Sequence, residues 1–223
     1  MKTLLLQVDR VLRGEDEVGT PAQLIRRWLA TIITFGFLYG AAMGSFQCFS
    51  PQRSIQVVFA GVKVPLLLSI TFSLCIPGFF VFNTLMGLRD DFGKVVRAIV
   101  TAQMGMTILL SALAPITILW NVGSENHTQT ILFNAVMFGV ALVGSQILLR
   151  RHYRPLIAKD TRHRLLLAGW GFLYAFTGIQ LAWVLRPFIA SPERPITFFR
   201  EDSWGNAYIV VFHLIGELFG HKH

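Results

Sequence analysis

The chain has 223 residues, of which 53% are hydrophobic and only 14% are charged, and its formal net charge is +8. Soluble globular domains carry about 25% charged residues, so this composition excludes an ordinary soluble protein. Between Glu17 and Glu193 only four acidic residues occur, each in a short gap between long apolar runs: Asp90, Asp91, Glu125 and Asp160. The sequence therefore predicts an integral membrane protein.

The N-terminal segment predicts a short amphipathic helix on the cytoplasmic leaflet. Residues 3–13 place five apolar side chains on one helical face, with polar residues largely opposite: Leu4, Leu5, Val8, Val11 and Leu12. Further along, Thr20 followed by Pro21 is typical of an N-cap and the first residue of a new helix.

A helix needs about 20 apolar residues to cross a bilayer. Five segments meet this requirement, at about 26–46, 63–87, 97–120, 131–149 and 165–188. The runs are continuously apolar rather than alternating, which favours helices over a barrel. We therefore predict an all-α polytopic bundle, with residues 1–223 forming a single integral membrane domain.

The second span is unusually long and contains Lys63, Pro65 and Pro77. We expect residues 55–62 to approach the membrane in the outer leaflet, Pro65 to lie near the start of the span, and Pro77 to kink it. Lys63 would then snorkel to the outer headgroups.

The tail after the fifth span, residues 189–223, is expected to cover the outer face. Its apolar segment, 207–220, is too short for a sixth crossing, which favours an interfacial or re-entrant helix.

The basic residues alternate between the gaps. Fourteen of the twenty fall in residues 1–27, 88–97 and 150–164, whereas residues 121–130 contain none. Cytoplasmic loops of membrane proteins are enriched in Lys and Arg. This predicts a multi-pass protein of the inner or plasma membrane, with a cytoplasmic N-terminus and an external or periplasmic C-terminus. Because topology accounts for the positive charge, no nucleic-acid partner is predicted.

Small residues form two ridges on predicted spans. The first, Gly36, Gly40 and Gly44, repeats every four residues, and span five has a matching ridge of Gly171, Ala175, Gly178 and Ala182. Such ridges let helix backbones approach closely. Packing between spans of one chain is the favoured interpretation, and self-association through the ridges is the alternative.

No enzymatic chemistry is predicted, because no His, Asp or Glu falls inside the five spans. We accordingly predict no catalytic residue, no metal site and no cofactor. The spans do contain neutral polar residues, for which hydrogen bonding between helices is favoured and a narrow polar path is the alternative: Thr31, Thr34, Ser69, Ser73, Asn83, Thr107, Ser111, Asn134, Ser145, Gln146, Thr177 and Gln180.

Arg186 is the predicted organiser of the outer face, where Pro187 ends the fifth span. The returning tail carries Glu193, Glu201 and Asp202, followed by Trp204. A guanidinium can bind a carboxylate through two parallel hydrogen bonds, which would hold the tail over the bundle. Snorkelling of Arg186 to lipid phosphates is the alternative.

The five-span layout from about residue 24 to 188, with a cytoplasmic N-terminus, resembles the Yip1-like membrane proteins. The resemblance implies a compact five-helix protein of a kind that recruits partners or shapes membranes. The predicted function is a membrane-embedded scaffold or accessory subunit, and the alternative is a small channel or permeation pathway formed by an oligomer. The predicted partners are the lipid bilayer and other membrane proteins or a second copy of the chain.

Overall fold

The computed structural model describes residues 2–13, 20–47, 51–191 and 196–199, with backbone only at residues 2–5, 7 and 51–53. The regular elements within these ranges are all helical. A short 3-10 turn, Arg89–Asp91, accompanies six α-helices: α1 (Lys2–Arg13), α2 (Pro21–Gly44), α3 (Pro51–Leu85), α4 (Phe92–Gly123), α5 (His127–Lys159) and α6 (His163–Leu185). This confirms the predicted all-α class.

Four helical segments are long and apolar enough to cross a membrane: Ser54–Leu85, Arg89–Gly123, His127–Lys159 and His163–Leu185. They indicate a membrane-embedded protein. Helix α2 is not among these four. It has 24 residues and carries Arg26 and Arg27 near its start, so a fifth crossing stays a prediction.

Helix α2 begins with a reciprocal cap. The Thr20 hydroxyl accepts a hydrogen bond from the backbone N–H of Gln23, and the Gln23 side chain accepts one from the backbone N–H of Thr20. Pro21 follows at the first helical position, as the sequence predicts. The first backbone N–H groups of a helix have no partner within the helix, and a side chain that accepts from one of them stabilises the helix by about 1 kcal/mol.

Helix α3 runs without a break for 35 residues through both Pro65 and Pro77. A helix can extend beyond the bilayer, so the expected start of the span near Pro65 stays a prediction. Neighbouring helices make internal proline tolerable in membrane helices by packing against the disturbed turn. Here Gly36 of α2 lies directly against the Pro65 ring.

Helix α4 lies at the centre of the bundle. It packs against α1, α2 and α5, while α3 packs between α2 and α6. The most apolar stretch of α4 is 67% buried, compared with 11% for α6. Helices α5 and α6 touch each other only weakly, so the bundle is tight on the α2–α3–α4 side and open along α5 and α6.

Helix α1 packs against α4 of the helix bundle. Val11 is fully buried and Val8 packs against the same core, next to residues of α4. Leu12, which the sequence places on the same face, is 44% exposed, and Leu6 is 58% exposed. The apolar face of α1 is thus wider than the surface that α4 offers it.

We call the end of the bundle formed by residues 86–94 and 150–164 the basic end. The opposite end, formed by residues 45–47, 51–63, 121–127 and 186–190, is called the distal end. The predicted interfacial segment 207–220 lies outside the described residues.

Candidate functional site

The glycine ridge of α2 lies against the backbone of α3. A Cβ placed on Gly40 would overlap the carbonyl oxygen of Ala60, and one on Gly44 would lie 2.7 Å from the carbonyl oxygen of Gln56. Gly36 is less crowded, since its Cβ would lie 3.3 Å from Cγ of Pro65. Real Cβ contacts are longer than the first two, so only glycine permits this approach at positions 40 and 44. In the monomer the ridge is therefore occupied by α3.

The ridge of α6 does not meet the ridge of α2. Gly178 faces Thr71 of α3, with a hypothetical Cβ 3.6 Å from the Thr71 methyl, whereas a Cβ on Gly171 would touch nothing within 4 Å. Ala175 is exposed, and Ala182 is half-buried. The two ridges therefore lie on separate surfaces of the bundle, and only the α2 ridge is closely packed.

Gln103 of α4 connects four helices. Its side-chain oxygen accepts a hydrogen bond from Trp28 Nε1 of α2 at 3.2 Å. Its amide nitrogen donates to the Leu68 carbonyl oxygen of α3 at 2.8 Å, and contacts the Tyr174 hydroxyl of α6 at 3.1 Å. Gln103 is only 5% exposed, so these bonds form away from solvent. Sequence analysis missed this residue, although a lone amide within an apolar span was a usable signal.

The other interior polar groups are also used for packing. Tyr39 donates to Asn134 at 3.3 Å, which joins α2 to α5. Asn121 donates to the Ala42 carbonyl oxygen at 2.9 Å, which joins α4 to the end of α2. Hydroxyl groups such as that of Thr107 donate to carbonyl oxygens of their own helix. The bonds of Tyr39 and Asn121 therefore link helices, whereas those of the hydroxyl groups are made within a single helix.

A small cavity lies next to Gln103, between α4, α5 and α6. Its volume is about 20 Å³, and its polar lining includes Ser145, Gln146 and Tyr174. A single water needs about one probe sphere of such space. The cavity is therefore far too small to serve as a permeation path through the described bundle.

At the basic end, Asp91 joins three helix termini. Its carboxylate is 6% exposed and lies 2.6 Å from the Lys159 ammonium of α5 and 3.4 Å from the Lys94 ammonium of α4. The fully buried His163 of α6 places Nε2 3.6 Å from the same carboxylate. The two lysines are more than half exposed, so a buried anion lies beneath a solvent-accessible cationic surface.

A second carboxylate at this end is paired locally. Arg162 donates to Asp160 through Nε and Nη2, at 3.0 and 2.7 Å, and its other terminal nitrogen donates to the Met86 carbonyl oxygen at 2.7 Å. These bonds from Arg162 lower the pKa of Asp160 to about 2. Asp160 is therefore ionised at physiological pH and keeps Arg162 in place across the turn.

At the distal end, the chain beyond α6 is held by α3. Lys63 donates to the Pro187 carbonyl oxygen at 2.7 Å, and Gln56 donates to that of Phe188 at 2.9 Å. Lys63 is fully buried, and its ammonium lies 4.8 Å from the centroid of the Phe198 ring. The prediction that Lys63 snorkels to headgroups is wrong, because the returning segment covers it and supplies a carbonyl acceptor.

Arg186, the predicted organiser, stacks on an aromatic ring. Its guanidinium carbon lies 3.4 Å from the centroid of the Trp183 ring, one turn earlier in the chain. The carboxylates proposed as its partners, Glu193, Glu201 and Asp202, and the neighbouring Trp204 lie outside the described residues. Sequence analysis missed Gln56 and Lys63 as holders of the returning segment, since nothing in the sequence shows which carbonyls come near them.

In the described ranges, no group of three or more His, Cys, Asp or Glu side chains is placed to hold a metal ion. Comparison with known proteins finds no matching family model, no similar curated protein and no similar solved structure.

Proposed function

We propose that the protein is a non-enzymatic, five-span scaffold or accessory subunit of a membrane complex, with a cytoplasmic N-terminus. The observation that carries this proposal is the use of the interior polar groups. Gln103, Tyr39 and Asn121 direct their side chains to neighbouring helices, and the cavity beside Gln103 has a volume of about 20 Å³. A permeation path needs polar groups that remain free to face a solute.

Helix α2 is proposed as the fifth span because it lies antiparallel along a candidate span. Position 36 of α2 faces Pro65 of α3, position 40 faces Ala60, and position 44 faces Gln56. Farther back, Trp28 contacts Phe72, with ring centroids 4.9 Å apart. This packing along α3 over several turns supports placing α2 at the same depth in the bilayer. Arg26 would then lie near the headgroups of the basic end.

The orientation follows from the distribution of charge. Residues 88–97 and 150–164 carry nine basic and three acidic residues, and the gap at 121–130 carries no basic residue. By the positive-inside rule, the basic end lies in the cytoplasm. The same orientation places the distal end, and the tail that follows it, outside.

The face of α6 is the surface proposed for a partner, either a transmembrane helix of another membrane protein or a second copy. Phe172, Phe176 and Ile179 are 73%, 49% and 52% exposed. Gly171 has open space beside it, which would admit a second backbone. Among the four candidate spans, α6 has the smallest buried share, 11%.

Flux and complex formation distinguish the scaffold from the channel. Purified protein in liposomes is expected to leave potassium and small neutral solutes as impermeant as in protein-free liposomes. After mild solubilisation, a scaffold is expected to elute as a complex of fixed stoichiometry. Gly171→Leu should break this complex while melting like the parent. Solute flux that grows with protein content would contradict the scaffold and favour the channel.

A further inference from the structure

Three arginines at the basic end form a surface that the scaffold proposal does not use. Arg150, Arg151 and Arg154 line an open surface cavity on α5 together with Ile147. All three arginines are exposed. Their positions are three, four and seven residues after Ile147, which places the four side chains on one face of α5.

Unlike Lys94, Lys159 and Arg162, these three arginines have no ionic partner among the described residues. Lys94 and Lys159 are paired with Asp91, and Arg162 is paired with Asp160. In the part of the chain that the structure describes, Arg150, Arg151 and Arg154 form no side-chain hydrogen bond or ion pair. Three guanidiniums on one helix face repel one another, and two of the three acidic residues at this end, Asp91 and Asp160, are already paired with other cations. The surface is therefore complementary to an anion that comes from outside the chain.

An apolar strip leads directly to this cavity. Val140, Val143 and Ile147 are 52%, 61% and 65% exposed and follow one another at helical spacing. If α5 crosses the membrane, this strip contacts acyl chains, and the arginines that follow it lie at headgroup depth. The apolar run predicted from sequence ends at residue 149, immediately before the first arginine.

We propose that this face of α5 binds an anionic phospholipid of the leaflet at the basic end. The acyl chain would lie along Val140, Val143 and Ile147, and the phosphate would be bound by the three guanidiniums, whose planar forks match phosphate oxygens. Basic pockets at the cytoplasmic ends of membrane helices bind acidic headgroups in this way. A free phosphate ion would not use the apolar strip. The proposal rests on the membrane-spanning role proposed for α5.

The test measures lipid preference by native mass spectrometry of the full-length protein. Phosphatidylglycerol and phosphatidylcholine with identical acyl chains are titrated separately into protein in mild detergent. The parent is expected to bind phosphatidylglycerol about tenfold more tightly. Arg150→Gln combined with Arg154→Gln should reduce this preference to about twofold or less.

A matched control separates the site from general positive charge. Arg89→Gln combined with Arg164→Gln removes the same charge from two exposed positions at the same end, away from the cavity. This variant should keep the preference of the parent. Equal loss in both double variants, or no preference in the parent, would refute the lipid site.

Two further arms identify the source of the anion. Inorganic phosphate in the millimolar range should not displace phosphatidylglycerol from the parent, and displacement would show a small-anion site instead. If the parent shows no lipid preference but co-purifies with an acidic polypeptide, and that polypeptide is lost in the Arg150→Gln, Arg154→Gln variant, the surface is a protein interface instead. Because lipid preference is measured independently of complex formation and of topology, its failure leaves the scaffold proposal to its own tests.

Discussion

The α2–α3 contact and the α6 face carry similar small-residue patterns but differ in packing. Gly40 and Gly44 bring α2 so close to α3 that no Cβ fits, whereas a Cβ added to Gly171 of α6 would meet nothing within 4 Å. In the first case, Trp28 on the same helix also bonds to Gln103. The difference shows that four-residue spacing of small residues permits close approach but does not select the helix that uses it.

The largest effect is expected from the α2–α3 contact. Gly40→Leu would force a branched side chain into the α3 backbone, and overpacking of this kind costs about 3 kcal/mol. We expect a markedly lower melting temperature in detergent. Gly36→Leu should be milder, because the Pro65 ring leaves more room. Gly171→Leu is the matched control and should stay within about 0.5 kcal/mol of the parent. Equal melting of all three variants would mean that the close contact does not form.

The next effect concerns the hydrogen bonds by which Gln103 joins α4 to α2, α3 and α6. Gln103→Leu keeps the volume but removes three bonds, each worth about 0.6 kcal/mol in membrane proteins. We expect a loss of about 2 kcal/mol, measured by unfolding in mixed detergent micelles. Gln146→Leu changes a half-buried amide on α5 in the same way and should have little effect. A Gln103→Leu variant as stable as the parent would contradict the linking role.

At the basic end, the buried carboxylate is compared with its exposed neighbour. Asp91→Asn weakens the bonds to Lys159 and Lys94 and should cost about 1.5 kcal/mol, since bonds to charged groups are stronger than neutral ones. Asp90 is exposed, and Asp90→Asn should change stability by less than about 0.5 kcal/mol. Thermal melts at neutral pH and low salt compare the two. Identical melts would show that Asp91 does not join the helix ends.

The smallest effect is expected at the distal end. Arg186→Ala removes the stacking on Trp183, worth about 0.5–1 kcal/mol, together with any bond to the tail carboxylates. Hydrogen exchange in residues 189–199 should rise in this variant. Arg186→Lys keeps the charge but loses the planar fork, so it should restore only part of the protection. Full restoration by lysine would support headgroup snorkelling over a specific pairing with the tail.

Composition and hydropathy were sufficient to predict the all-helical class, the apolar segments of α3 to α6 and the cap that begins α2. These features depend on local spacing, which the sequence displays directly. The glycine contact was predicted as a packing surface, but its partner was not, because the ridge of α6 has the same spacing and a different environment. Pattern alone could not distinguish them.

The main errors came from contacts between distant residues. Lys63 was expected at the headgroups because a buried ammonium is costly, yet the returning segment supplies the Pro187 carbonyl oxygen as an acceptor. Gln103 was overlooked because its three partners are separated from it by 35 to 75 residues. Such partners are brought together only by the fold, and no periodicity in the sequence predicts them.

The number of spans is tested most directly by the accessibility of single cysteines on either side of α2. In a background without the native cysteines, Thr20→Cys and Gln47→Cys are labelled in intact cells with a membrane-impermeant maleimide, with Glu125→Cys and Asp160→Cys as references for the distal and basic ends. Five spans predict labelling at positions 47 and 125 from outside, and labelling at positions 20 and 160 only after permeabilisation. Labelling of positions 20 and 47 from the same side would show that α2 does not cross the membrane.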